Sequence, residues 1–277
     1  MKAPGLQKIA ISMLSLCLST QPLTAQDKDP QAAALLQKVK DAYRNASTFS
    51  ADGEYLVELR TEYPHKMTGT FKIRFSRPEQ IRVDWSETKS GGEVFVNSVF
   101  TRDQTIFFYW SEFGKWSPQK NMEYALGANA GISHGISYAI PSLLCGQSGY
   151  VEFNTLKPLA ELAMDGKKYT VIAGTSRHQG DMELVVDPAS LVIHQFKTTK
   201  LIRRTDVQKI AAEVEKDDPE LAARLKNNPR PELPDFVAVN TLTFKDPVFG
   251  RELKAGDFDY PVPATARKVE DILGIRK

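Results

Sequence analysis

Gly131-Ile132-Ser133-His134-Gly135 has the spacing of a nucleophile elbow, in which a serine raised on a sharp turn is activated by a histidine and a carboxylate. Asp187 and His194 follow in the order that such a hydrolase needs. The elbow requires a buried parallel strand before the serine and a helix after it, and the preceding residues 125–130, Ala-Leu-Gly-Ala-Asn-Ala, make no such strand. A stretch rich in glycine and serine also meets this pattern by chance. The histidines His65, His134, His178 and His194 lack the close spacing of a metal site. Neither a glycine-rich phosphate loop nor a paired-cysteine motif is present. The chain is expected to be no enzyme, with no catalytic residue, metal or cofactor.

The elements that surround these residues begin with an export signal. Lys2 and Lys8 precede an apolar run at residues 9–18 that is too short to span a bilayer, and Leu23-Thr24-Ala25 offers small-residue cleavage chemistry. Cleavage is expected after Ala25. Leu14-Ser15-Leu16-Cys17 also resembles a lipobox, but Leu16 stands where a small residue is wanted. Loss of residues 1–25 removes two lysines and no acid, which leaves 34 basic side chains facing 34 acidic ones. A neutral chain lacks the basic surface that nucleic acid or anionic membrane would select. Cys17 leaves with the signal, so Cys145 has no partner for an internal disulfide.

Asp29 is a helix N-cap with Pro30 at the first helical position, and Leu35, Leu36, Val39, Ala42, Tyr43 and Ala46 then share one face. From Ser50 the period changes to two. Tyr55, Val57 and Leu59, then Phe71, Ile73 and Phe75, then Ile81, Val83 and Trp85 alternate with polar residues, as half-buried antiparallel strands do. Further strands are expected at 93–100, 104–110, 168–174, 181–187, 191–200 and 236–245. Strands and helices do not alternate, which argues against a parallel sheet. Residues 121–149 mix Ala, Gly, Ile, Tyr and Leu without a clean period and read as an apolar, mobile flap. Residues 205–228 read as a charged helical insertion. Residues 26–277 are taken as one domain.

Three blocks carry a resemblance: the strand pair GTFKIRFSRPEQIRVDW (69–85), the turn and tyrosine strand DQTIFFYW (103–110), and LVIHQFKTTK (191–200). With the opening helix and FDYPVPATARKVED (258–271), which looks like a closing strand, their order resembles the LolA family of periplasmic lipoprotein carriers. The resemblance implies a mainly β fold with some α: an incomplete antiparallel β-barrel, a half barrel, whose concave face binds acyl chains and is covered by helices. It implies a periplasmic, monomeric carrier of a lipoprotein or other lipid, served by a membrane-bound donor or acceptor protein. A LolA-shaped envelope-stress sensor like RseB, in which lipid releases a protein partner, is the alternative, with 205–228 as the partner surface. Serine hydrolysis is a third reading.

Burying each methylene of an acyl chain stabilises the complex by ~0.8 kcal/mol, so a carrier needs a large apolar concavity. Phe71, Phe75, Trp85, Phe107, Tyr109, Tyr138 and Leu143 are the expected lining, although aromatics at period two also make an ordinary core. Strand 105–110 is apolar on both faces, which suits a strand between a cavity and a covering helix. The family's latch, an arginine before a proline that holds the lid by hydrogen bonds to helix backbone, falls on Arg77 and Pro78. A guanidinium suits this task because it carries five donors and is never neutralised. N-terminal sequencing of protein from the native host is expected to begin near Gln26; a start at Met1 contradicts export.

Overall fold

The structure, a computed structural model, describes residues 28–62, 64–78, 80–88, 92–147, 149–164, 166–176, 179–205, 234–270 and 272. The expected signal at 1–25 and the insertion beyond residue 205 lie outside the described residues, as does His178. Helix α1, Pro30–Asn45, starts as expected: Asp29 Oδ1 accepts from the Ala32 N–H at 2.9 Å, which satisfies one of the orphan donors of the first turn. Ala32, Leu36, Val39 and Tyr43 form its buried stripe.

The strands are β1 Thr48–Arg60, β2 His65–Ser76, β3 Gln80–Thr88, β4 Val94–Arg102, β5 Thr105–Trp110, β6 Lys115–Pro118, β7 Thr155–Leu156, β8 Ala160–Met164, β9 Lys167–Ser176, β10 Gly180–Val186, β11 Ile193–Ile202, β12 Phe236–Phe249 and β13 Arg267–Lys268. They form one sheet in the order β13-β6-β5-β4-β3-β2-β1-β12-β11-β10-β9-β7, with β8 also on β9. Its two ends do not pair, and the sheet is an open, incomplete antiparallel barrel. The expected strands are all present. Strands β6, β7 and β8 were not expected, and residues 258–271 do not form a closing antiparallel strand. Only Arg267 and Lys268 pair there, in parallel with Lys115 and Trp116 of β6.

Two short helices, α2 Met122–Ala128 and α3 Ala139–Leu144, occupy the segment that had no clean period. All six residues of α3 are buried; five are apolar, and the Ser142 hydroxyl donates to the Ala139 carbonyl at 3.1 Å. It packs against α1 and β2. Buried side chains from α1, α2, α3 and strands β1 to β5 and β9 to β12 make one continuous core between the helices and one face of the sheet. Close approach there depends on glycine: a Cβ on Gly53 would stand 2.2 Å from the Phe71 ring, and one on Gly69 2.5 Å from the Tyr55 ring.

Tyr43 ties α1 to the sheet. Its buried hydroxyl accepts from the Ile193 N–H at 3.0 Å, and its ring meets Phe249 edge-on with centroids 4.8 Å apart. Tyr43→Phe would leave that buried N–H without an acceptor, a cost of about 1–3 kcal/mol. A melting temperature about 2–10 °C lower is therefore expected by calorimetry; an unchanged value would show that the bond contributes nothing.

Candidate functional site

The helix-covered face gathers most of the expected lining. Phe71 of β2 is paired with Trp85 of β3, and Phe75 with Ile81. Trp85 is fully buried and stacks on Phe108 with ring planes 4° apart, while Phe71 meets Phe244 edge-on at 5.2 Å. Leu143 of α3 is buried against this surface, and Tyr138 lies at its margin in a T-shaped contact with Tyr150. Phe107 and Tyr109 are placed elsewhere. Strand β5 turns Ile106 and Phe108 toward the helices, and Phe107 and Tyr109 join Phe100 in a second cluster on the outer face.

That outer cluster has its own cover. Tyr260 stacks near Tyr109 at 5.3 Å and Phe100 at 5.8 Å, with Val262 and Ala266 beside it. Arg102 donates to Asp259 Oδ1 and to the Tyr260 carbonyl, both at 2.7 Å, and Arg82 donates to the Asp259 carbonyl at 2.7 Å. Burial, helped by Asp84, pushes the Tyr260 hydroxyl up to about 12. Residues 258–266 are thus a strap over the back of the sheet.

Arg77 stands where three backbone ends meet. Its N–H donates to the Ser47 carbonyl at 2.9 Å, its Nε to the Ala46 carbonyl at 3.0 Å and its Nη2 to the Leu144 carbonyl at 2.8 Å; Nη2 also reaches the Arg44 carbonyl. Arg44 and Ala46 close α1, and Leu144 closes α3. The last carbonyls of a helix have no partner within it and carry the negative end of its dipole, so one guanidinium fork binds both helices at their electronegative ends. The guanidinium also lies over the Phe75 ring at 5.3 Å. Pro78 follows across a cis peptide.

The residues of the hydrolase pattern are engaged in local bonds of their own. Ser133 follows α2 in a run of tight turns and is fully buried; its Oγ donates to Ser137 Oγ at 2.9 Å and accepts from the Ser137 N–H at 3.0 Å. Asp187 caps its own turn, accepting from the Ala189 N–H and the Ser190 hydroxyl, both at 2.9 Å. His194 packs on Tyr169, and burial lowers its pKa against the opposing effect of Asp187. The serine therefore lacks the strand before it that an elbow requires. Among the described residues no three His, Cys, Asp or Glu side chains gather as metal ligands.

At the far end of the same sheet face lies a small, almost wholly apolar groove of about 40 Å³, lined by residues of β1, β11 and β12, with His134 and Gln179. Sequence reasoning did not single it out. The signal was available in 236–244, where Asn240 interrupts the apolar series Phe236, Ala238, Leu242 and Phe244.

The fold and site define an open antiparallel half barrel whose inner face is covered by helices held at their C-terminal ends. No family model and no curated protein matches the chain. Among solved structures it is similar to an uncharacterized conserved protein from Thermus thermophilus, at 13% identity and a TM-score of 0.39, over 87% of this chain and 99% of that one. It is similar to LprF from Mycobacterium bovis at 10% identity and 0.36, over 87% and 100%. A LolA superfamily protein from Nitrosomonas europaea is similar at 11% identity and 0.30, over 83% and 97%.

Proposed function

We propose that the protein is a periplasmic carrier that takes acyl chains, of a lipoprotein or another lipid, between its sheet and its covering helices, and that Arg77 is the latch of that cover. The observation that carries this reading is the single guanidinium donating to the closing carbonyls of both α1 and α3. In the closed form the face is filled by the protein's own side chains, Leu143 and Leu144 among them. An acyl chain reaches Phe71, Phe75 and Trp85 only when α3 parts from β2 and α1. Cargo binding and latch bonding are then competing equilibria. The ordered sequence blocks that resemble LolA carriers support the same reading, and the lysine-flanked apolar run at residues 2–18 supports export. Among the described residues no helix is long and apolar enough to cross a membrane.

A bond from a charged donor contributes about 1.5–3 kcal/mol when shielded and less where water competes. Removing the donors should therefore shift the opening equilibrium tenfold or more. Arg77→Leu is expected to fold normally, to bind a fluorescent fatty-acid probe about tenfold more tightly than wild type, and to release it more slowly. Trp85→Asp, which buries a charge in the wall, is expected to lose the probe or fail to fold. Unchanged affinity and off-rate in Arg77→Leu would remove the latch. Failure of wild type and Arg77→Leu alike to bind any acyl probe would remove the carrier and favour a partner-binding sensor.

A further inference from the structure

The two ends of α3 are held in different ways. Its C-terminal end surfaces at once, with Cys145 half-buried and Gly146 exposed, and the Arg77 guanidinium reaches it there at the Leu144 carbonyl. Its N-terminal end emerges from a run of turns in which Asn129, Ser133, His134 and Ser137 are all buried.

Those turns are tied within themselves, to α2 and to the sheet. The Gly135 N–H donates to the Ala130 carbonyl at 2.8 Å, and the Ser137 hydroxyl, which pairs with Ser133, donates to the Leu126 carbonyl of α2 at 2.9 Å. His134 meets three strands. Its carbonyl accepts from Asn240 Nδ2 of β12, its ring lies on Tyr55 of β1 with centroids 5.0 Å apart, and its Nε2 is 3.7 Å from Glu87 Oε1 of β3. His134 and Gly135 both have positive φ, 53° and 84°, and so reverse the chain here. A non-glycine residue keeps that conformation where its surroundings over-determine it.

This difference decides which end can move. Lifting α3 from its C-terminal end breaks bonds at the surface, and water can replace them. Lifting it from the other end takes the His134 ring off Tyr55 and leaves the Asn240 donor, in a residue 5% exposed, without its acceptor. A stranded buried donor costs more than a bond exchanged for water.

We infer that α3 is a hinged cover. It turns about residues 133–138, Asn240 is the positioning residue that holds this pivot on the sheet, and the mouth opens at the Arg77 end. The inference rests on the reading of Arg77 as the latch and adds the fixed point about which the latched end swings.

The test needs no ligand: amide exchange of the exported chain, followed residue by residue with nitrogen-edited NMR. The Cys145, Gly146 and Gln147 N–H groups, which bond the Pro141, Leu143 and Ser142 carbonyls, report on the latched end. Those of Ser133, Gly135 and Ser137 report on the pivot. Arg77→Leu is expected to speed exchange about tenfold or more at the latched end and to leave the pivot as in wild type. Asn240→Leu is expected to do the reverse, with the amides of β2 and β9 keeping their protection; a general loss of stability would raise exchange in those strands too. Should Asn240→Leu fail to fold, the Arg77→Leu profile decides the pivot by itself. Equal acceleration at both ends of α3 in Arg77→Leu overturns the pivot and leaves the latch standing. No acceleration at Cys145, Gly146 and Gln147 overturns the latch and the pivot with it. Exchange in Asn240→Leu that stays at the wild-type rate at Ser133, Gly135 and Ser137 overturns the role of Asn240. A failure of the carrier reading shows instead in the fatty-acid binding of wild type, which this measurement does not use.

Discussion

A sheet whose two ends never pair cannot hide its inner face against itself, and in this chain that face carries Phe49, Phe71, Phe75, Trp85, Phe108, Phe196 and Phe244. The helices are the cover that this constraint demands, because so large an apolar surface left in water would cost more than the fold can bear. Short helices supply little stability of their own, and α2 and α3 have seven and six residues. They hold position through burial and through bonds at their ends. Arg77 therefore matters beyond its own contacts: it ties the end of the long helix α1 to the end of α3, and it does so with a charge that neither helix has to neutralise.

The Arg77 cluster and the apolar groove lie toward opposite ends of one strand. The Arg77 cluster sits by Ser47 at the start of β1, and the groove begins at Val57 near its end. At ~3.3 Å per residue these are roughly 30 Å apart. The Arg77 region is closed by helices; the groove is lined by three hydrogen-bonded strands together with His134 and Gln179. The outer face has a third role, structural, where Arg102 and Arg82 hold the strap of residues 258–266 over Phe100, Phe107 and Tyr109.

Much of this was legible in the sequence. The helical stripe through Leu36, Val39 and Tyr43 and the alternation through Phe71, Ile73 and Phe75 state period and buried face directly. Strand 105–110 was ambiguous because it is apolar on both sides, and only its register with β4, which sets Phe107 opposite Phe100, decides which side faces the helices. The position of Arg77 came through a family resemblance, whereas its acceptors could not be read: backbone carbonyls have no residue signature, and Leu144 is 67 positions away. The parallel pairing of β13 rests on two residues and carries no periodic signal. Ser133 matched a catalytic motif, but the motif depends on a strand that the preceding residues do not make.

The central claim is that α3 is a removable cover and the sheet beneath it is not. Hydrogen exchange followed by mass spectrometry, with and without a fatty acid at saturating concentration, tests this directly. Ligand should lower the protection of amides at 139–146 while those of β1 and β12 keep theirs. Protection at 139–146 that is unchanged or raised by bound fatty acid would contradict the account.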